Sequence, residues 1–400
     1  SAIPVAANLF GSLDRVGLAL GTTDLEVLAQ RFAADLQADG EMNGERALRR
    51  LIQQEKWQPS IVQNSTCRAK DFSAQGLHLL PPVVAWPGDG GPYLTLAQVY
   101  TRHPDDGALN CGMYRIQSQD SHLATIRCRS GSGAACHLAA WHERGRAMPV
   151  AVALGGAPAL SWAASVPLPE GVDETFLCGY LLESPLAMSP CQTSDLIVPA
   201  NAEIVIEGII NPGDFRREGP FGNHTGCYDS DAHAPVMRVL SVHTRPEPIF
   251  PWTLVGPPPM ENIQLMRATE KLFRPLVQMD LPTLRGLHMP GEGIFHRAAL
   301  VTVDPAEDRP LAELVGILSR TLLLHGSRLL VIGAADHDPH DPAAVFWRVM
   351  NRADWDRDLQ VVSGCLAIDA RRLPAGGCVQ SDPSIMQRVV DRWHEYGLDE

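Results

Sequence analysis

Two stretches of the chain hold residue types and spacings capable of chemistry. In Arg217-Glu218-Gly219-Pro220-Phe221-Gly222-Asn223-His224-Thr225-Gly226-Cys227-Tyr228, three glycines and a proline constrain the backbone around a carboxylate, an amide and an imidazole. A loop this rigid either positions side chains for a ligand or forms a structural turn between strands. In Asn110-Cys111-Gly112-Met113-Tyr114-Arg115-Ile116-Gln117 an arginine sits within an apolar run. A guanidinium so placed needs a carboxylate or phosphate partner, and Glu218 is available. Asn110 and Arg115 lie five apart, so a straight strand points them to opposite faces; a bulge or bend, which Gly112 can supply, would change that. Elsewhere, Asp336-His337-Asp338-Pro339-His340-Asp341 has the look of a metal cluster but directly follows a predicted strand and contains a proline. A solvated turn of mixed charge is the favoured reading there. Gly131-x-Gly133 beside Cys136 lacks the third glycine of a dinucleotide loop, and neither a Walker A run nor a Gly-x-Ser-x-Gly elbow is present.

These residues need a scaffold. At 400 residues the chain has room for two or three domains with buried cores. The 45% hydrophobic and 20% charged composition is that of a globular protein. Its net charge of −13 repels phosphate backbones, which argues against nucleic acid as a general partner. Nine cysteines, an odd number without a CxxC pair, read as reduced thiols and point to the cytoplasm. The longest uncharged stretch, 148–169, is broken by Gly155-Gly156 and four prolines, so no membrane span is expected.

Periodicity predicts helices over 25–36 (with Thr23-x-x-Glu26 as a capping box) and 46–54, then short strands over 93–100, 113–117 and 122–129. One or two helical turns over 137–143, and strands over 149–154, 203–207 and 236–243, follow. A helix over 260–273 leads into alternating strand (298–303), helix (311–324), strand (329–333) and helix (343–351), with a last amphipathic helix over 385–396. The expected fold class is α+β / α/β and multidomain: an N-terminal segment (1–70), a split β-barrel domain (71–256), a hinge helix and linker (257–290) and a C-terminal α/β domain (291–400).

Several motifs then occur in one order: Asp89-Gly-Gly-Pro-Tyr93, Asn110-x-Gly112-x-Tyr114-Arg115-x-Gln117, Pro149-Val-Ala-Val-Ala-Leu-Gly155, Val198-Pro-Ala-Asn-Ala-Glu203-Ile-Val-Ile-Glu207-Gly208 and Glu218-Gly-Pro-Phe-Gly222. Together they resemble the UbiD family of decarboxylases, from Asn8-Leu-Phe-Gly-Ser12 to about Asp369-Ala370. The resemblance implies a flavin-binding split barrel and a reversible non-oxidative carboxy-lyase acting on an aromatic, heteroaromatic or α,β-unsaturated acid. It implies prenylated FMN as cofactor, held through Mn2+ (or Mg2+) with K+ nearby. A flavin prenyltransferase would supply that cofactor, and the assembly would be a homodimer or higher homo-oligomer. Carried over by position, Asn110, His137 and Glu174 are the metal ligands. Arg115 and Glu218 face the reacting carbons, and Gln117, Arg309 and Arg352 join Asn110, Arg115 and His137 around the cofactor.

The chain departs from the family pattern at three places. Asn223 stands where relatives carry Glu or Asp, and an amide delivers no proton. Arg309 stands near the position of a lysine that clamps the phosphate. The chain begins just before the Asn8–Ser12 segment, where relatives carry some tens of residues, so its N-terminus reads as truncated. The leading expectation is an active decarboxylase. The alternatives are a flavin- and metal-binding homologue impaired by Asn223, and a metal-dependent hydrolase using Glu174, His137 and the 336–341 cluster.

Overall fold

In the computed structural model, residues 3–38, 40, 43–294, 296–372, 379 and 381–397 are described. Eight strands form one curled path in the order Tyr93–Leu94, Ile116–Ser118, Leu123–Ile126, Tyr228–Thr244, Ala202–Gly222, Met148–Gly155, Gln98–Arg102 and Leu109–Met113, each pair antiparallel. Lys70–Asp71 adds a ninth strand beside Tyr228–Thr244. The strand Met148–Gly155 shows why the sheet has two cores. Successive side chains face opposite ways: Val150, Val152 and Leu154 enter the barrel core with Ile204 and Ile206, while Ala151 and Ala153 face a second core with Val205 and the helices. Each fully buried Val, Leu or Ile contributes about 1.5–3 kcal/mol, so both faces hold this strand in register.

The second core joins the sheet to Leu13–Ala19, Leu25–Gln37 and Gly44–Ile52, which pack on the long helix Glu261–Asp280. Leu25, Leu28, Ala29, Phe32 and Leu36 form the buried face of the second of these helices, with Phe32 stacked on Phe273 at 6.1 Å. Its N-cap is Asp24, which accepts from the Glu26 N–H at 2.7 Å, rather than the expected Thr23. Beyond the long helix, a five-stranded sheet runs Leu284–His288, Ala298–Val303, Leu329–Ala334, Cys365–Ala370 and Leu359–Val362, with a parallel centre and antiparallel edges. Among the described residues, no helix is long and apolar enough to cross a membrane.

Several elements differ in extent from the sequence expectation. The run over 93–100 is two strands, Tyr93–Leu94 and Gln98–Arg102. The helix expected to stop at Phe273 continues through Pro275 to Asp280. An interior proline costs about 3 kcal/mol, but Leu272, Phe273, Leu276 and Val277 are all buried around it and outweigh that cost. The helix over 311–324 ends at Leu318. The strands expected over 203–207 and 236–243 are cores of a much longer hairpin, whose outer half is polar and therefore lacks an apolar signature.

Candidate functional site

The hairpin of Gln98–Arg102 with Leu109–Met113 organises one half of the site. Asn110 lies opposite Thr101 in its register. The Thr101 hydroxyl is 2.8 Å from Nδ1 of His137, on the first turns of the helix Gly133–Glu143. The residue after Asn110, Cys111, donates its N–H to Glu174 Oε2 at 2.8 Å from the start of the helix Glu174–Leu181. Backbone pairing thus brings Asn110, His137 and Glu174 to one end of two adjacent strands. Gly133 leaves the Asn110 carboxamide its place: a Cβ there would lie 1.9 Å from Asn110 Oδ1.

The three side chains are in states that suit a cation at the carboxylate, the imidazole and the carboxamide oxygen, while the carboxamide nitrogen still lacks an acceptor. Asn110 Nδ2 is buried with no hydrogen-bond partner. Burial pushes the Glu174 carboxyl up to about 8, against the backbone N–H that it accepts. Burial, and then the neighbouring His103, hold the His137 imidazole down at about 4, so it is neutral with one ring nitrogen tied to Thr101. A carboxamide, a carboxylate and an imidazole fit a hard divalent ion such as Mn2+ or Mg2+ rather than a thiolate-seeking one.

These shifts predict a pH dependence for the metal-free protein. An unfolded Glu174 ionises from about pH 4.5, while the folded one keeps its proton up to about 8. Its stabilising contribution is therefore full below 4.5 and is lost as pH rises to 8. His137 acts in the opposite sense, since its depressed value makes stability fall as pH drops from 6.5 to about 4. Between pH 6.5 and 8 the Glu174 effect remains, and chelator-treated protein should lose roughly 2 kcal/mol across that interval. Mn2+ should flatten the slope. Thermal unfolding at several pH values checks this, and identical slopes with chelator and with Mn2+ would count against it.

The other half of the site is an ion pair. The chain turns at Tyr114–Arg115, between Leu109–Met113 and Ile116–Ser118, so the bend that Asn110 and Arg115 require falls there rather than at Gly112. Arg115 donates to both oxygens of Glu218 (Nε to Oε1 at 2.8 Å and Nη2 to Oε2 at 2.7 Å) and to Asp229 at 3.3 Å. Its guanidinium lies 4.5 Å over the Phe221 ring. Glu218 is fully buried and also accepts from the Tyr93 hydroxyl at 2.9 Å. Gln117 holds the surrounding loops: its Oε1 accepts from Gly219 N–H and its Nε2 donates to the Gly90 carbonyl, both at 2.9 Å.

Asn223 serves its own turn. Its Oδ1 accepts from the Thr225 N–H and hydroxyl at 2.8 and 2.7 Å, and its N–H donates to Cys227. His224 beside it is buried and held down at about 4 by that burial, then by Arg129, Arg297 and Arg115. At neutral pH it is a neutral imidazole.

Arg309 and Arg352 are engaged within the C-terminal domain. Arg309 pairs with Glu307 and donates to Thr283, and the Arg309 hydrogen bond, followed by one that the Thr283 hydroxyl donates, holds Glu307 at about 2. Arg352 reaches Asp336 at 3.4 Å, alongside Arg348 at 2.7 Å. The run 336–341 is thus partly a set of ion pairs, in the same domain. Thr101, Asp229, Arg129 and Arg297 were not singled out from the sequence, and Tyr93 stood there only as the end of a motif, without a role. Arg127 and Arg129, and Asp229 and Asp231, are each two apart, the period of a shared strand face, and that signal was available. Arg127 pairs with both aspartates.

Comparison with known proteins adds to this geometry. Residues 59–258 match the family described as 3-octaprenyl-4-hydroxybenzoate carboxy-lyase Rift-related domain (UbiD), and residues 263–377 match the C-terminal domain of the same carboxy-lyase (UbiD_C). An uncharacterized protein of Archaeoglobus fulgidus is 33% identical over 363 residues, covering 90% of this chain and 75% of its own. One of Aquifex aeolicus is 33% identical over 367 residues, covering 90% and 76%. Among solved structures, the UbiD-class enzyme HmfF from Pelotomaculum thermopropionicum, in an evolved dimeric form in complex with prFMN, superposes with a TM-score of 0.79 at 24% identity, covering 96% of this chain and 86% of that one. Vanillic acid decarboxylase of Sedimentibacter hydroxybenzoicus in its closed form gives 0.82 at 22% identity, covering 99% and 87%. At these identities the structural likeness establishes a shared fold.

Proposed function

This chain belongs to the UbiD family of carboxy-lyases, and from that premise we propose that it is a reversible, non-oxidative decarboxylase of an aromatic, heteroaromatic or α,β-unsaturated carboxylic acid, using prenylated FMN. The observation that carries the reading is local. Within six residues of chain, Asn110 with its neighbours offers a donor set for a cation, and Arg115 offers a buried bidentate pair with Glu218. In this reading Asn110, His137 and Glu174 hold Mn2+ or Mg2+ against the flavin phosphate, with K+ close by. A separate flavin prenyltransferase supplies the cofactor, and the working form is a homo-oligomer. The modified flavin, when bound, supplies the electron sink for breaking the bond to CO2.

The chain's own residues do the rest. The Arg115 guanidinium, fixed by Glu218, Asp229 and the Phe221 face, orients the substrate carboxylate. Loss of CO2 leaves an electron pair on carbon that must take up one proton. Asn223 cannot give it, and a His224 held at about 4 is a poor donor at neutral pH. Glu218 and Asp229 are the carboxyls on Arg115. In this reading Glu218 takes a proton from solvent and passes it to carbon when the guanidinium, still held by Asp229, shifts from Glu218 to the substrate carboxylate.

This assignment makes Asn223→Asp informative. The replacement keeps an oxygen for both Thr225 donors, so the turn survives. With the chain made alongside a flavin prenyltransferase, CO2 release should be measurable in the natural sequence and should change less than about tenfold in the variant. Removing a general acid costs about 10²–10⁴-fold, so activity confined to Asn223→Asp would favour an impaired homologue instead.

A further inference from the structure

A second group of metal-ligating side chains lies outside the proposed cofactor site. Glu270 is on the long helix Glu261–Asp280, His288 ends the strand Leu284–His288, and His340 stands just before the helix Pro342–Arg352. One ligand atom from each lies within 4.8 Å of the others. His340 Nε2 is 3.3 Å from Glu270 Oε1, and His288 Nδ1 is 3.5 Å from Glu270 Oε2. The geometry points to a binding site for one zinc-class divalent cation, formed by Glu270, His288 and His340.

Four observations support it. First, the spacings suit coordination. At metal–ligand distances of about 2.0–2.1 Å, neighbours in a tetrahedral shell stand about 3.3–3.4 Å apart, close to the spacing of each imidazole nitrogen from one of the two oxygens of Glu270. Second, His288 Nδ1 is buried and lacks a hydrogen-bond partner. That is costly for a polar atom and is relieved by a metal. Third, the outer contacts of a metal site are in place. Asp338 Oδ1 lies 2.9 Å from His340 Nδ1, where it can accept the proton of that nitrogen and so free Nε2, beside Glu270, for a metal. Glu270 Oε2 accepts from the Met289 N–H at 2.6 Å, which fixes the carboxylate. Fourth, the loop is pressed onto the strand: a Cβ on Gly286 would lie 2.8 Å from Pro339 Cγ. Glu270 is buried, while His340 is half-exposed at the wall of a groove of about 1000 Å³ between the N-terminal helices and the long helix. Two imidazoles and one carboxylate suit zinc and leave a fourth position for water from the groove. The ion would staple the long helix to the C-terminal sheet.

Zinc could also enter the donor set around Asn110, so the test is run on the full chain carrying His137→Ala. Zn2+ is titrated in by calorimetry, and bound zinc is counted by elemental analysis after gel filtration. One equivalent is expected to bind. Adding His340→Ala, at a half-exposed position that leaves the fold intact by circular dichroism, should weaken binding by a hundredfold or more. Adding Asp338→Asn instead should weaken it by about 10–100-fold, since that residue only positions the ligand. Failure to bind a zinc equivalent in the His137→Ala chain, or unchanged affinity on adding His340→Ala or Asp338→Asn, would overturn the assignment.

Discussion

Arg115→Ala should abolish CO2 release and cost about 3–5 kcal/mol of folding stability. The variant leaves the fully buried Glu218 carboxylate with the Tyr93 hydroxyl as its remaining side-chain donor, and it empties the space over Phe221. Breaking a buried pair strands a charge, whereas replacing both members with apolar groups of similar size is often close to neutral. The double variant Arg115→Met with Glu218→Leu should therefore recover most of the lost stability and none of the activity. Urea unfolding and a CO2 assay on the same preparations check both halves. A single variant losing under 1 kcal/mol would show that the pair is not the buried anchor described here. A double variant that regains activity would remove both residues from the chemistry.

Much of this architecture was legible in the chain because it rests on short-range patterns. The 3.6-residue repeat of Leu25, Leu28, Phe32 and Leu36 gives one helix face, and the alternation around Glu203–Glu207 gives the central strand. The need of an arginine in an apolar run for a carboxylate led to Glu218, 103 residues away. What escaped depends on pairing between distant segments. Thr101 matters because strand register sets it opposite Asn110 while its hydroxyl meets His137, and no local pattern encodes that. Asn223, read as a missing acid, also holds a turn through Thr225. Arg309 and Arg352 were placed near the phosphate by resemblance. The chain engages one with Glu307, two residues earlier in the same loop, and the other with Asp336, across a strand-to-helix turn. The 336–341 run, favoured as a solvated turn, divides between an ion-paired Asp336 and a His340 that reaches Glu270. That second contact required the long helix to pack beneath it.

The proposed anchor makes the second large prediction. Asn110→Ala, His137→Ala and Glu174→Gln each remove one donor from a set of three. A cation bridging to a phosphate tolerates such losses poorly, because the remaining donors leave it under-coordinated and the phosphate charge unneutralised in a protein of net charge −13. Each variant should weaken retention of the cofactor by at least about a hundredfold, by analogy with the 10–100-fold cost of losing only an outer-shell partner. The folds should survive, since Asn110 Nδ2 has no hydrogen-bond partner to lose and Glu174→Gln keeps an oxygen for the Cys111 N–H. The most direct measurement is made on protein produced together with a flavin prenyltransferase, supplied with Mn2+ and freed of loose ligand by gel filtration. Its visible absorbance and the mass of the released ligand report bound prenylated FMN. The natural chain should retain it near one equivalent, and each of the three variants should come off the column without the visible band. Full retention of the flavin by His137→Ala and Glu174→Gln would contradict the account.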